Sequence, residues 1–244
     1  MKKVLYSLLL SIIVMSCTAK EKEVDFKSLK ERGGVLYEVK SEKRFTGIAK
    51  SYYENGQLEV EDRYVDGVLQ GITKSYYEDG ELKGEANYKG GKLEGMLKKY
   101  SKKGVLVSET SYKNGKIEGL KKSYSEYGQL ITEADYKDGV LHGQLKGYDE
   151  KGVLTGEASY ENGIENGITK GYYEDGQVQM EANYKNGVLD GVVKKYYKNG
   201  QLKSEVNYKD GSLHGMTKGY DEKGKLIGEA NYEYDVLVGE IKRY

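Results

Sequence analysis

Glycine recurs in this chain at Gly47, Gly71, Gly95, Gly119, Gly143, Gly167, Gly191, Gly215 and Gly239, always 24 residues apart. Two further columns keep the same period, Gly56 to Gly224 and Gly67 to Gly211, the latter closed by Asp235 where an eighth glycine would fall. Tyrosine beats twice as fast: every twelfth residue from Tyr52 to Tyr244 is Tyr, seventeen in succession without an insertion or deletion. A fixed period of this length means tandem structural units, each burying its apolar surface against the next. Helical units are excluded, because a glycine every few residues costs a helix about 1 kcal/mol each.

One unit runs Gly71-Ile-Thr-Lys-Ser-Tyr-Tyr-Glu-Asp-Gly80 and then Glu81-Leu-Lys-Gly-Glu-Ala-Asn-Tyr-Lys-Gly-Gly91. Asn55-Gly56, Asp79-Gly80, Asp175-Gly176 and Asn199-Gly200 are two-residue hairpin signals, and Asp66-Gly67, Asn114-Gly115 and their equivalents mark the other connection. About eight residues rich in Tyr, Thr, Val and Ile lie between turns, so twelve residues make one strand and one turn. With Asp79-Gly80 at the centre of a two-residue turn, Lys74 faces Glu85, Gly71 faces Tyr88, Thr73 faces Ala86 and Tyr77 faces Leu82. The expected fold is all-β: an elongated single-layer antiparallel sheet of tandem hairpins, about 80 Å long for seventeen strands before twist.

The Lys column (Lys50 to Lys242) and the Glu column (Glu61 to Glu229) are unbroken, so cross-strand ion pairs such as Lys74 with Glu85 and Lys98 with Glu109 are expected structural features. Each contributes roughly 0.2–1 kcal/mol and sets register more than stability. The opposite face, with Leu82, Gly84, Ala86 and Tyr88 against Gly71 and Thr73, is the better buried one, a tyrosine ring covering each cross-strand glycine. The Lys/Glu face also carries Ile72, Met96, Leu120, Ile168, Val192 and Met216. Beside them runs the row Tyr52, Tyr76, Tyr100, Tyr124, Tyr148, Tyr172, Tyr196 and Tyr220, a candidate binding strip of rigid, amphipathic rings.

Thirty-nine basic and 39 acidic residues leave no net charge, which removes the electrostatic case for nucleic-acid binding. The only histidines, His142 and His214, occupy one repeat column three units apart, and six strands hold them roughly 29 Å from each other, so they share no metal. That column otherwise holds Gln70, Glu94, Glu118, Asn166 and Asp190, which reads as solvated positions near a turn. Asp149-Glu-Lys-Gly152 and Asp221-Glu-Lys-Gly224 lack the alternating ligands of a calcium loop and stand where other units have hairpin turns. No phosphate-cradling glycine motif is present, and neither a catalytic residue nor a cofactor is expected.

Residues 1–16 have Lys2 and Lys3 before an apolar run through Val14, too short to span a bilayer, which is the form of a secretory signal. The run ends Val14-Met15-Ser16-Cys17 and resembles the lipobox of bacterial lipoproteins, which implies cleavage before Cys17 and acylation of that residue. Residues 17–34 are polar and charged and read as a tether, leaving 35–244 as the repeat domain with a cap strand near 35–40.

The string Tyr112-Lys-Asn-Gly115-Lys-Ile-Glu-Gly119-Leu-Lys-Lys-Ser-Tyr124 resembles the MORN repeat, more closely its bacterial variant form, and the likeness covers roughly Phe45 to Tyr244. Two departures stand out: only the first glycine of the usual Gly-x-Gly pair is kept, and the common Trp or Phe is always Tyr. The resemblance implies a row of β-hairpins in one twisted antiparallel sheet. It also implies scaffolding, protein contact and membrane association, and bacterial variants carry an antitoxin-component label. The expected function is therefore a non-catalytic, lipid-anchored envelope protein that scaffolds or adheres through an unidentified protein partner. Two alternatives are binding of carbohydrate or cell wall by the tyrosine ladder, and sequestration of a toxin.

Overall fold

The computed structural model describes residues 21–244; Cys17, the signal-like segment and the first part of the expected tether lie outside the described residues. Strands account for almost all of the regular structure, and one sheet of 21 strands holds the repeats. It runs hairpin after hairpin, each strand pairing with its neighbours in sequence, and does not close on itself.

Strand identity follows from the period of two. In the Gly71–Tyr76 and Leu82–Lys89 pair, Gly71 lies opposite Tyr88, Thr73 opposite Ala86 and Lys74 opposite Glu85, as the sequence predicts. The register then slips by one residue, so Leu82 faces Tyr76 and not Tyr77. The cause is the turn. Gly80 donates its amide to the Tyr77 carbonyl and Tyr77 to that of Glu81, leaving Glu78, Asp79 and Gly80 as a three-residue loop. Only Gly80 there has positive φ (88°), while the Asp79 carboxylate accepts from the Glu81 amide. The other turn column is the true two-residue kind. Asp66, Asn114, Asp138, Asn162, Asn186 and Asp210 have φ of 49–53°, each followed by a glycine at positive φ. The last turn takes the same form with Tyr234 and Asp235 at φ of 45° and 68°, the Asp235 carboxylate holding the Leu213 amide at 2.8 Å.

Every glycine of the Gly47–Gly215 column is paired with a tyrosine of the neighbouring strand, from Gly47 with Tyr64 to Gly215 with Tyr232. This face also buries Ala86, Thr110, Ala134, Ala182, Val193 and Ala230, without a second layer. Small side chains flanked by tyrosine rings reach burial through their neighbours alone. The column's glycines sit at a bulge, at φ near 90–116° beyond Gly47. At Gly143 (φ 115°) a Cβ would stand 2.8 Å from the Cβ of Asp135.

The N-terminal end departs from expectation. The tether predicted to run through residue 34 is, from Glu23 onward, part of the folded body. β1 (Glu23–Asp25) lies parallel to β4 (Gly47–Tyr52), and β2 (Leu29–Arg32) forms a separate hairpin with β3 (Val35–Glu38), the cap strand expected near 35–40. Leu29, Leu36 and the fully buried Phe45 pack on Ala49 and Tyr64, with Val24 and Leu69 at the margin. Backbone bonds from Leu36 to Gly67, Gly67 to Phe45 and Phe45 to Leu36 fasten this cap to the first two-residue turn. The charged residues that suggested a tether are its solvent face, where Arg63 holds Glu21 at 2.8 Å and Lys50 holds Glu23 at 2.7 Å.

Replacing Gly143 with Ala should cost about 1–3 kcal/mol, because the residue needs positive φ and has no room for a Cβ. The same change at Gly171, where nothing lies within 4 Å and φ is not positive, should stay near neutral. Urea denaturation of the two variants is the check, and equal midpoints would overturn the account.

Candidate functional site

The Lys/Glu face is built from one residue per strand. Glu61 is paired with Lys50 on one side and Lys74 on the other, and the alternation continues to Glu229 between Lys218 and Lys242. The predicted hairpin pairs are thus members of one continuous ladder. Ion pairs close at several rungs, including Lys122–Glu133 at 3.0 Å, Lys170–Glu181 at 3.4 Å and Lys98–Glu85 at 3.7 Å. Lys98 therefore turns to Glu85 rather than to its expected partner Glu109, and Lys74 is a backbone neighbour of Glu85 without an ion pair.

The tyrosine row lies on this face and is coupled to the ladder. Tyr100 donates its hydroxyl to Glu85, Tyr124 to Glu109, Tyr148 to Glu133, Tyr172 to Glu157, Tyr196 to Glu181 and Tyr220 to Glu205, at 2.7–3.5 Å. Tyr244 repeats the contact with Glu229. Each of these glutamates accepts from a tyrosine fifteen residues on, and many also face a lysine. Burial, reinforced by the hydrogen bond to Glu109, Glu133 or Glu157, pushes the Tyr124, Tyr148 and Tyr172 hydroxyls up to about 12. The Lys122 ammonium, then the Tyr148 hydroxyl, hold the Glu133 carboxyl below its ordinary value. Tyr52 and Tyr76 carry the row to the N-terminal end, where Tyr52 is exposed.

What this face leaves open is aliphatic. Ile72 is 58 % exposed and Ile168 51 %, with Met96, Leu120 and Met216 also exposed. Each stands two residues before a ladder lysine, opposite a short polar side chain such as Asn87 or Asn183. Those polar groups are occupied: Asn87 donates to the Glu94 carbonyl and Asn183 to that of Val192, filling the bulge at the column glycine.

Two sets of ties escaped the sequence reading. The column at 70, 94, 118 and 142 is not simply solvated. Gln70, Glu94 and Glu118 accept from the first amide of the next unit's two-residue turn (Gly90, Asn114 and Asp138), and the His142 Nδ1 accepts from Asn162. Every residue in that column has an acceptor, and that was the available signal. The other set is Tyr53, Tyr77, Tyr173 and Tyr197, whose hydroxyls donate to the carbonyls of Tyr76, Tyr100, Tyr196 and Tyr220 one unit along. Where the position is Ser101, Ser125, Asp149 or Asp221, the side chain caps its own turn instead; Asp149 accepts from Lys151 and Val153, the work the sequence assigned to an ordinary hairpin.

Raised folded values for Tyr124, Tyr148 and Tyr172 mean that their stabilisation is fully present below pH 10 and is lost as pH rises through about 12. Ultraviolet titration should therefore show a late tyrosinate phase coincident with loss of strand signal. All tyrosines ionising together near pH 10 would sink this. Tyr148→Phe should cost about 0.5–1.5 kcal/mol by removing the bond to Glu133, measured by thermal unfolding.

Comparison with known proteins agrees with this architecture. Seven stretches match the family described as MORN repeat variant: residues 45–66, 69–89, 93–114, 141–162, 165–186, 189–210 and 213–234. The strands Lys116–Tyr124 and Leu130–Lys137, between the third and fourth matches, continue the sheet in the same register. No curated protein matches the chain. Among solved structures, a crystal structure described as TcdB2-TccC3 is 12 % identical with a TM-score of 0.22, covering 86 % of this chain and 13 % of that one. The chain spans about an eighth of that structure's length, and a likeness this distant carries no argument. With its matched stretches covering more than half the sequence, the chain belongs to the MORN repeat variant family.

Proposed function

We propose that this protein is a non-catalytic interaction scaffold of the bacterial cell envelope, held to a membrane through lipid on Cys17 and meeting its partner with the Lys/Glu face. Repeats of this family occur in protein-interaction scaffolds. The observation that carries the reading is the column of outward aliphatic residues, from Ile72 to Met216, on a face most of whose charges are paired with one another. Paired charges present little net field, and exposed apolar side chains in a row gain by being covered. On this face the ladder carboxylates from Glu85 to Glu229 and the tyrosine hydroxyls from Tyr100 onward are engaged with one another. The same engagement weakens the carbohydrate alternative, because the hydroxyls that would bond a sugar from Tyr100 onward already bond glutamate.

The anchor rests on the sequence alone: a basic start, a short apolar run and a cysteine directly after Val-Met-Ser. Among the described residues no helix is long and apolar enough to cross a membrane.

Photoreactive residues placed at Ile72 or Ile168 in living cells should yield protein adducts, whereas one at Lys99, on the opposite face, should not. Adducts from Lys99 alone would reject this face. Cys17→Ala should abolish labelling by palmitate and release the protein from membranes, and retained labelling would reject the anchor.

A further inference from the structure

We propose that the Lys/Glu face docks on a second copy of this chain, as a two-fold dimer whose axis passes between the strands Val140–Tyr148 and Leu154–Glu161. The inference rests on the reading of this face as a contact surface and names its occupant.

Along the ladder each strand contributes a lysine or a glutamate in strict alternation, from Lys50 to Lys242. Place two such faces together with a two-fold axis parallel to the strands. The strand order of one copy then runs against that of the other. An axis on a strand opposes Lys to Lys and Glu to Glu throughout. An axis midway between two strands opposes every lysine to a glutamate. A strictly alternating row is therefore complementary to itself in one kind of arrangement and repelled in the other, and complementary charge sets register.

Shape follows the same rule. Two residues before each ladder lysine stands the aliphatic column, and the paired place on the glutamate strands holds a short Asn, Ser or Asp, apart from Arg63; the leucines of the glutamate strands, such as Leu82 and Leu106, lie at the other height, paired with the tyrosine row. A shift of one strand seats each aliphatic side chain of one copy over the short residue of the other, so the two columns interleave.

Two residues choose among the possible axes. Gln144 is the only polar residue of the aliphatic column between Ile72 and Met216, and it bonds Ser159 Oγ at 2.9 Å. With the axis between Lys146 and Glu157, Gln144 faces Ser159 of the second copy at the centre, where both copies can exchange the same bond. The same axis brings Glu240, which ends the aliphatic column, opposite Arg63, the one cation of the short-residue column, where it would join the Glu21 carboxylate that Arg63 already holds at 2.8 Å. It also leaves out Lys50, which already has Glu23 at 2.7 Å and Glu61 at 3.5 Å. Sixteen facing strands, about 75 Å, and a strip about 10 Å wide cover roughly 750 Å² per copy, close to the usual share of a stable interface. Two strips of equal twist and hand can wind about a common axis and remain in contact.

The test uses the full chain with Cys17→Ser, in mild detergent, by light scattering and by thiol cross-linking. Its mass should be that of two chains. Leu120→Lys with Ile168→Lys should give one chain with an unchanged circular dichroism spectrum. A bifunctional thiol cross-linker that reaches about 10 Å, the spacing of two sheets packed face to face, should join Gln144→Cys, beside the axis, to its mate. Ile72→Cys should not be joined, since thirteen strands, roughly 60 Å, separate it from its mate. A single-chain mass at every concentration overturns the dimer, as does linking through Ile72→Cys but not Gln144→Cys. Loss of the dimer would leave the cellular photo-adducts to a different protein, so the two readings fail separately.

Discussion

A sheet with no second layer must steady its side chains sideways. Beyond the N-terminal cap on Ala49 and Tyr64, the described residues offer no opposing surface to pack on, so each residue leans on the strand before and the strand after. The Lys/Glu ladder, the tyrosine hydroxyls and the tyrosine rings over glycine are three forms of that lateral dependence. Single exposed ion pairs are worth little. Here each glutamate sits between two lysines and most also accept a phenolic hydroxyl, so that the groups share one fixed place.

The fixed period follows from the same requirement. A one-residue insertion in any strand would turn its lysine to the wrong face and break contact with both neighbours. That is why the tyrosine beat runs through seventeen members without interruption. Stability in such a strip is a sum of neighbour terms, and the cap of Leu29, Leu36 and Phe45 supplies the one place where several apolar residues converge from different elements.

Much of this was legible before any coordinates. The glycine and tyrosine columns gave strand length, hairpin order, the Lys74–Glu85 register and the Gly71–Tyr88 cover, because each is a consequence of spacing. The Asp79-Gly80 connection was misread as a two-residue turn, since Asp-Gly stands in both connections. The distinction lay in the substitutions: Lys103, Tyr127, Lys151 and Lys223 occupy the place of Asp79 and favour negative φ, whereas the other column keeps mostly Asn and Asp. The cap was missed for a different reason. Leu29 and Leu36 belong to no period, and their meaning depends on contacts with Phe45 and Tyr64 that spacing does not encode. Of the contact face, the rows were visible; that the hydroxyls were already committed, leaving the aliphatic column as the open part, required the geometry.

The hydroxyl ties from Tyr53, Tyr77, Tyr173 and Tyr197 are distributed unevenly. They brace the first and the later units to their neighbours, while Ser101, Ser125 and Asp149 in the middle, and Asp221 in the last unit, turn inward, so that the middle loops keep only side-chain ties such as Lys103 to Glu126. A ribbon so built lacks the tyrosine brace through three consecutive units at its waist. Bending loads applied at either end would concentrate near residues 101–152, and the molecule would flex there as a leaf spring does at its thinnest section.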